Sequence, residues 1–153
     1  GVHACKQLCR DGRLVPGAGA SEMELAVQIR KYADSCPGLD QYAIRSFGKA
    51  LEFVPRILAE NAGLDAAVVL AGLSAAHANG NAMAGVDIEG GLNGSSLSST
   101  NEDGTTVGIL NDNAVVDILS TKLSAFRLAI DAALTVLKVD QIIMSKPARA
   151  GGR

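Results

Sequence analysis

Pro55-Arg56-Ile57-Leu58-Ala59-Glu60-Asn61-Ala62-Gly63-Leu64-Asp65 is the stretch on which the reading of this chain turns. It describes a helix that opens on proline, ends at Gly63 and gives way to a second helix capped by Asp65. Upstream, Asp40 is expected to cap a helix with an apolar stripe of Ala43, Phe47, Ala50, Leu51, Val54 and Leu58. Pro55 falls inside that stripe and predicts a kink. Downstream, the helix capped by Asp65 runs to about Ala78, followed by turn-like residues 79–84.

The same logic extends to both ends. Residues 2–10 read as a helix with no capping residue before it, stopped by Asp11-Gly12. Ser21 followed by Glu24 has capping-box spacing and opens a helix to about Asp34, with Leu25, Ile29, Tyr32 and Cys36 near one face. The longest helix is expected over 113–138, with Leu119, Leu123, Phe126, Ile130, Leu134 and Leu137 on one stripe. Val86-Asp87-Ile88 and Gly108–Leu110 read as short extended segments, and Val139–Met144 as a strand. Residues 90–107 are dominated by Gly, Ser, Asn and Thr, the composition of a mobile polar loop. The result is a mainly α chain with short β segments.

Bulk properties narrow the function classes. The 153 residues suffice for one domain with a real core. Apolar residues make up 48%, but aromatics only 3% with no Trp, so the core is built from Ala, Leu, Val and Ile and favours close helix packing. A formal charge of −2 gives no electrostatic footprint for nucleic acid. No apolar run reaches the ~18–20 residues needed to cross a membrane. Three cysteines form no disulfide framework and read as free thiols of a reducing, cytoplasmic compartment.

Several motifs then converge. The opening stretch resembles the P-R-x-L-A-E-N-x-G-x-D run of group II chaperonins, ATP-driven protein-folding machines. Leu14-Val15-Pro16-Gly17-Ala18-Gly19-Ala20-Ser21-Glu22 resembles their V-x-G-G-G-A-x-E segment. Gly85-Val86-Asp87 resembles G-L-D, Gly108-Ile109-Leu110 the G-[VI]-[IL]-[DE] turn, and Val136–Ile143 the V-L-[RK]-[IV]-D-x-I-I run. Cys36–Ile44 and Asp140–Met144 are similar to one subunit type of the eukaryotic cytosolic chaperonin. The resemblance implies the C-terminal half of an equatorial domain over 14–145, preceded by the end of an intermediate-domain helix (1–13). It also implies an insertion at 90–107 and a tail at 146–153.

What the resemblance implies about function is specific. ATP or ADP would meet Gly17, Ala18 and Gly19 at its sugar, Asp87 and Ile88 at its base, and Asn111 at a ribose hydroxyl. Two departures stand out: Ala18 replaces the middle glycine, and Asn111 replaces an Asp or Glu, exchanging a charged acceptor for an amide. The phosphate loop, the magnesium ligand and the substrate-binding apical domain of the family have no counterpart in residues 1–153, and its catalytic aspartate would align just before Gly1. This segment alone is therefore expected not to hydrolyse ATP, although the complete subunit would. The implied partners are other subunits of a hetero-oligomeric double ring, and unfolded polypeptides held by the apical domain. An isolated segment is expected to self-associate, involving the Val139–Met144 edge. The alternative is a helical interaction module on the same scaffold that binds no nucleotide, favoured by Ala18 and Asn111.

Other patterns carry plainer readings. Asp103-Gly104-Thr105-Thr106 resembles the family's phosphate loop, but a true phosphate loop should open a helix, so it reads as coincidence. Cys5, Cys9 and His3 are too few for a metal site and read as thiols at least half-buried, and His77 as an ordinary surface or capping histidine. Lys6, Arg10 and Arg13 read as a solvated face.

Overall fold

The computed structural model describes residues 1–88 and 115–141, together with the backbone of three short strands at 99–100, 106–107 and 109–110. In chain order the elements are α1 (Val2–Arg10), β1 (Leu14–Pro16), α2 (Ala20–Ser35), α3 (Asp40–Leu51), α4 (Phe53–Asn61) and α5 (Ala66–Ala78). There follow β2 (Gly85–Val86), β3 (Ser99–Thr100), β4 (Thr106–Val107), β5 (Ile109–Leu110), β6 (Val116–Ile118) and α6 (Leu119–Leu137). Among the described residues the fold is mainly α, with three two-stranded antiparallel pairs: β1 with β6, β2 with β5, and β3 with β4.

The core lies where α2, α4, α5 and β2 meet. Met23, Val27, Ala59, Val69, Leu73, Ala84 and Val86 are its buried members. Small residues set its tightest contact. Ala26 and Ala33 of α2 are fully buried, and α3 approaches through Gly48, where an added Cβ would lie 3.3 Å from Ile29 Cγ2. A composition short of aromatics packs by bringing helix backbones close, as expected.

The chain does break near Pro55, but as two helices rather than one kinked one. Glu52 separates α3 from α4, and Pro55 sits in the first turn of α4, where no intrahelical N–H bond is lost. Asp65 caps α5, its Oδ1 accepting from Ala67 N at 2.9 Å and Val68 N at 3.4 Å. Asp40 is the first residue of α3, and no side chain caps that helix.

Four expectations are corrected. The buried face of α2 is Ala20, Glu22, Met23, Ala26, Val27 and Ala33, whereas Leu25 and Tyr32 are exposed, because the flat alanine face admits α3 and α5 more closely. The Ser21–Glu24 capping box does not form. Gly19 is the N-cap, Ser21 Oγ donates to the Pro16 carbonyl, and Glu24 turns to His77. The last helix begins at Leu119, since Val116–Ile118 pair with Leu14–Pro16 instead. Cys5 and Cys9 are exposed, because α1 buries none of its residues. The long α6 likewise buries none, so its apolar stripe is largely open, with Leu123, Ile130 and Leu134 exposed.

Val139–Gln141 belong to no strand, and Ile142–Met144 lie outside the described residues. So do most of 90–107 and the tail at 146–153. Thr106 lies in a strand opposite Thr100, and no helix starts there.

Candidate nucleotide-binding turn

The candidate site grows from the exit of β1. Gly17 N–H donates to the Val115 carbonyl at 2.9 Å, extending the β1–β6 pairing by one bond, and Ala20 N–H closes a turn onto the Gly17 carbonyl at 2.9 Å. Ala18 and Gly19 both take positive φ, +52° and +79°. This left-handed pair reverses the chain into the N-terminus of α2.

The two glycines are explained by protein packing. A Cβ at Gly19 would lie 2.9 Å from Pro55 Cβ and 3.1 Å from Pro55 Cα, so the proline that starts the sequence reading also fixes this turn. A Cβ at Gly17 would lie 3.0 Å from Val115 Cγ1 and 3.3 Å from Asp117 Oδ2. Both glycines are buried, and Ala18 is the residue of the turn that reaches the surface. A ligand approaching here would meet the Ala18 methyl group, the position where this sequence departs from three glycines.

The second candidate segment is joined directly to the first. Val86 N–H donates to the Ala18 carbonyl at 2.9 Å. This brings Gly17–Gly19 and Asp87–Ile88, nearly seventy positions apart, onto one bonded stretch of backbone. Their exposures differ sharply: Asp87 is buried at 4%, while Ile88 is 58% exposed. The apolar Ile88 side chain is the part of this segment open to a flat ring. Strand β2 pairs with β5 in the register Gly85↔Leu110 and Val86↔Ile109. Asn111 follows Leu110 directly in sequence but lies outside the described residues.

Two polar groups lie behind the turn: Lys122, which the sequence reading did not single out, and His77, which it read differently. Lys122 Nζ bridges Glu22 Oε2 at 3.0 Å and Asp117 Oδ2 at 2.8 Å, tying α6 to the first turn of α2 and to β6. The Lys122 and Glu22 side chains are only 12% and 7% exposed. These groups and His3, Gln7 and Val116 line a cavity of about 590 Å³.

His77 is the second, and it is neither a surface nor a capping residue. Its side chain is fully buried, with Nε2 2.9 Å from the Ala84 carbonyl and Nδ1 2.7 Å from Glu24 Oε2. The hydrogen bond from His77, seconded by one from Gln28, holds the Glu24 carboxyl below its ordinary range. A signal for His77 was available: Val69, Leu73 and His77 recur every four residues, which places the histidine on the buried stripe of α5. Among the described residues, no group of three or more His, Cys, Asp or Glu could hold a metal ion, and no helix is long and apolar enough to cross a membrane.

Comparison with known proteins agrees with this architecture. Residues 1–147 match the model of the TCP-1/cpn60 chaperonin family. The subunit type indicated by Cys36–Ile44 and Asp140–Met144 is theta. The chain is 49% identical over 148 residues to human T-complex protein 1 subunit theta, covering 97% of this chain and 25% of that protein. Identity to its counterpart in Arabidopsis thaliana is 45% over 148 residues, covering 97% of this chain and 24% of that protein. With the Candida albicans protein it is 48% over 153 residues, covering 99% and 25%. The chain thus spans about a quarter of the length of the curated relatives it matches. In structure it is similar to an open-state monomer of a group II chaperonin from Methanococcoides burtonii. The TM-score is 0.71 at 32% identity, covering 90% of this chain and 31% of that one. Matched by the family model over residues 1–147, the chain belongs to the TCP-1/cpn60 chaperonin family.

Proposed function

We propose that this chain forms the sugar-and-base side of an ATP site in a theta-type subunit of a cytoplasmic chaperonin, a hetero-oligomeric double ring that assists protein folding. The observation that carries the reading is the Val86 N–H to Ala18 carbonyl bond, which seats the exposed Ile88 beside the left-handed turn. Ala18 with its flanking glycines would meet the ribose, Ile88 and the backbone at Asp87 the base, and Asn111 a ribose hydroxyl. In this reading residues 1–13 end an intermediate-domain helix and 14–145 complete an equatorial domain. The groups that hold magnesium and phosphate, and the surface that takes unfolded polypeptide, belong to parts of the subunit beyond these residues.

Phosphoryl transfer rests on positioning and on charge stabilisation by metal and donors. A turn that offers only sugar and base contacts supplies neither, so residues 1–153 alone should release no phosphate from Mg–ATP. Turnover that survives repurification but is lost on replacing Thr105 and Thr106 with Ala would overturn this assignment.

The binding test is nucleotide titration of the full-length subunit against its Ala18→Gly/Asn111→Asp variant. Removing the methyl and restoring a charged acceptor should tighten ATP binding about tenfold, or about 1.4 kcal/mol. Undetectable binding in both proteins would favour the second reading, a helical interaction module without nucleotide, for which Ala18 and Asn111 speak. Tight binding indifferent to both changes would refute the residue assignment.

A further inference from the structure

We propose that His77 and Glu24 form a positioning pair that fixes the base-side segment Val86–Ile88 against the Gly17–Gly19 turn and so sets which base is accepted. The inference rests on the nucleotide-site reading above.

The geometry is a closed circuit. From the turn the chain enters α2, and one helical turn later Glu24 meets His77 of α5 at 2.7 Å. The other face of the ring holds the Ala84 carbonyl at 2.9 Å. Two residues on, Val86 N–H returns to the Ala18 carbonyl at 2.9 Å. The connector between α5 and β2 is short and braced at Asn81, whose Oδ1 accepts from Met83 N at 3.2 Å. Its position relative to α2 is therefore set through the histidine at Ala84, and Ala84, Val86 and Asp87 are all buried.

The chemistry of the ring makes this pair more than packing. Carbonyl and carboxylate oxygens are both acceptors, and a neutral imidazole donates from only one nitrogen. Acceptors lie on both sides of the ring, and a ring N–H that faces Glu24 donates to a carboxylate. The Glu24 bond is then charge-assisted, which makes it short, directional and costly to lose. Replacing Glu24 with Gln keeps a link by another route, because an amide N–H can donate to the lone pair of a neutral ring. Replacing it with Ala removes the link and leaves the ring free to turn.

Triphosphate and ribose contacts are the same for ATP and GTP, so the ratio of their affinities isolates the base side of the site. A global loss of structure would weaken both alike.

The experiment uses the full-length subunit as wild type, Glu24→Ala and Glu24→Gln. It measures ATP and GTP affinity by titration and Val86 amide exchange by hydrogen–deuterium exchange. Glu24 is partly exposed, at 28% for its side chain, so the Ala variant is a milder change than deleting the buried ring. In Glu24→Ala the ATP-over-GTP preference should fall about fivefold or more and Val86 exchange should rise about tenfold, the scale of one charge-assisted hydrogen bond. Glu24→Gln should keep both within about twofold of wild type, since it keeps one neutral bond. An unchanged preference in Glu24→Ala, or an equal loss for both nucleotides, overturns the proposal. Should the wild type bind no nucleotide, the site reading fails. Val86 exchange then decides the pair by itself: a rise in Glu24→Ala that Glu24→Gln reverses supports it, and unchanged exchange overturns it.

Discussion

Gly19→Ala tests the central packing claim, that the turn is held by Pro55. Two costs add. At φ +79° a Cβ meets its own backbone, at about 1–2 kcal/mol, offset by about 0.4–1 kcal/mol because alanine has less freedom to lose on folding. The new methyl also lies 2.9 Å from Pro55 Cβ and 3.1 Å from Pro55 Cα. Pro55 is fully buried in the first turn of α4, and a ring fused to the backbone cannot rotate away. Overpacking of this kind costs about 1–3 kcal/mol. The sum is a loss of about 1.5–4 kcal/mol. Gly38→Ala separates the two terms, since Gly38 has φ +84° but nothing within 4 Å of the added Cβ. It should cost only the net conformational term, about 0.5–1 kcal/mol. Urea unfolding followed by far-UV circular dichroism, at unchanged slope, measures both. Equal losses for the two variants would refute the Pro55 contact, and a loss below about 0.5 kcal/mol for Gly19→Ala would refute the turn geometry itself.

Lys122→Met should destabilise by about 3–5 kcal/mol, because it leaves Glu22 buried without its cation; a urea midpoint within error of wild type would show that the bridge contributes nothing. Glu24 sets an acid limit. Its carboxyl titrates below its ordinary value of 4.5 through the His77 bond, so its contribution is complete above that value and fades as pH falls through the lower folded-state value. Stability curves from pH 6 to pH 2 should therefore drop less steeply in Glu24→Gln than in wild type; parallel curves would contradict the assignment. The apolar side chains that α6 leaves open, Leu128, Val136 and Leu137 among them at 70–79% exposure, should drive concentration-dependent self-association of the 153-residue chain. Sedimentation should show Val136→Lys/Leu137→Lys shifting it toward monomer, and a clean wild-type monomer at high concentration would count against the idea.

What the sequence alone determined was the part governed by local rules. Proline placement, the Asp65 cap and alternating stops made the helices from α1 to α5 legible, because caps and breakers act within a few residues. The motifs around Gly17, Pro55 and Gly85 likewise indicated the family, since each is a short backbone-dictated segment. Tertiary structure decided what depends on distant partners. Residues 116–118 could have joined α6, but Leu14–Pro16 claimed them as a strand. Glu24 had the spacing of a capping residue, but a buried histidine 53 positions away outcompeted the local N–H. Within α2, the alanines and not the larger Leu25 and Tyr32 went inside, because a flat face lets a neighbouring helix come closer than a bulky one. The candidate site shows the same division. Sequence offered Asp87 and Ile88 together at the base, and it is the folded chain, with Val86 bonded to Ala18, that buries the carboxylate and leaves the isoleucine at the surface.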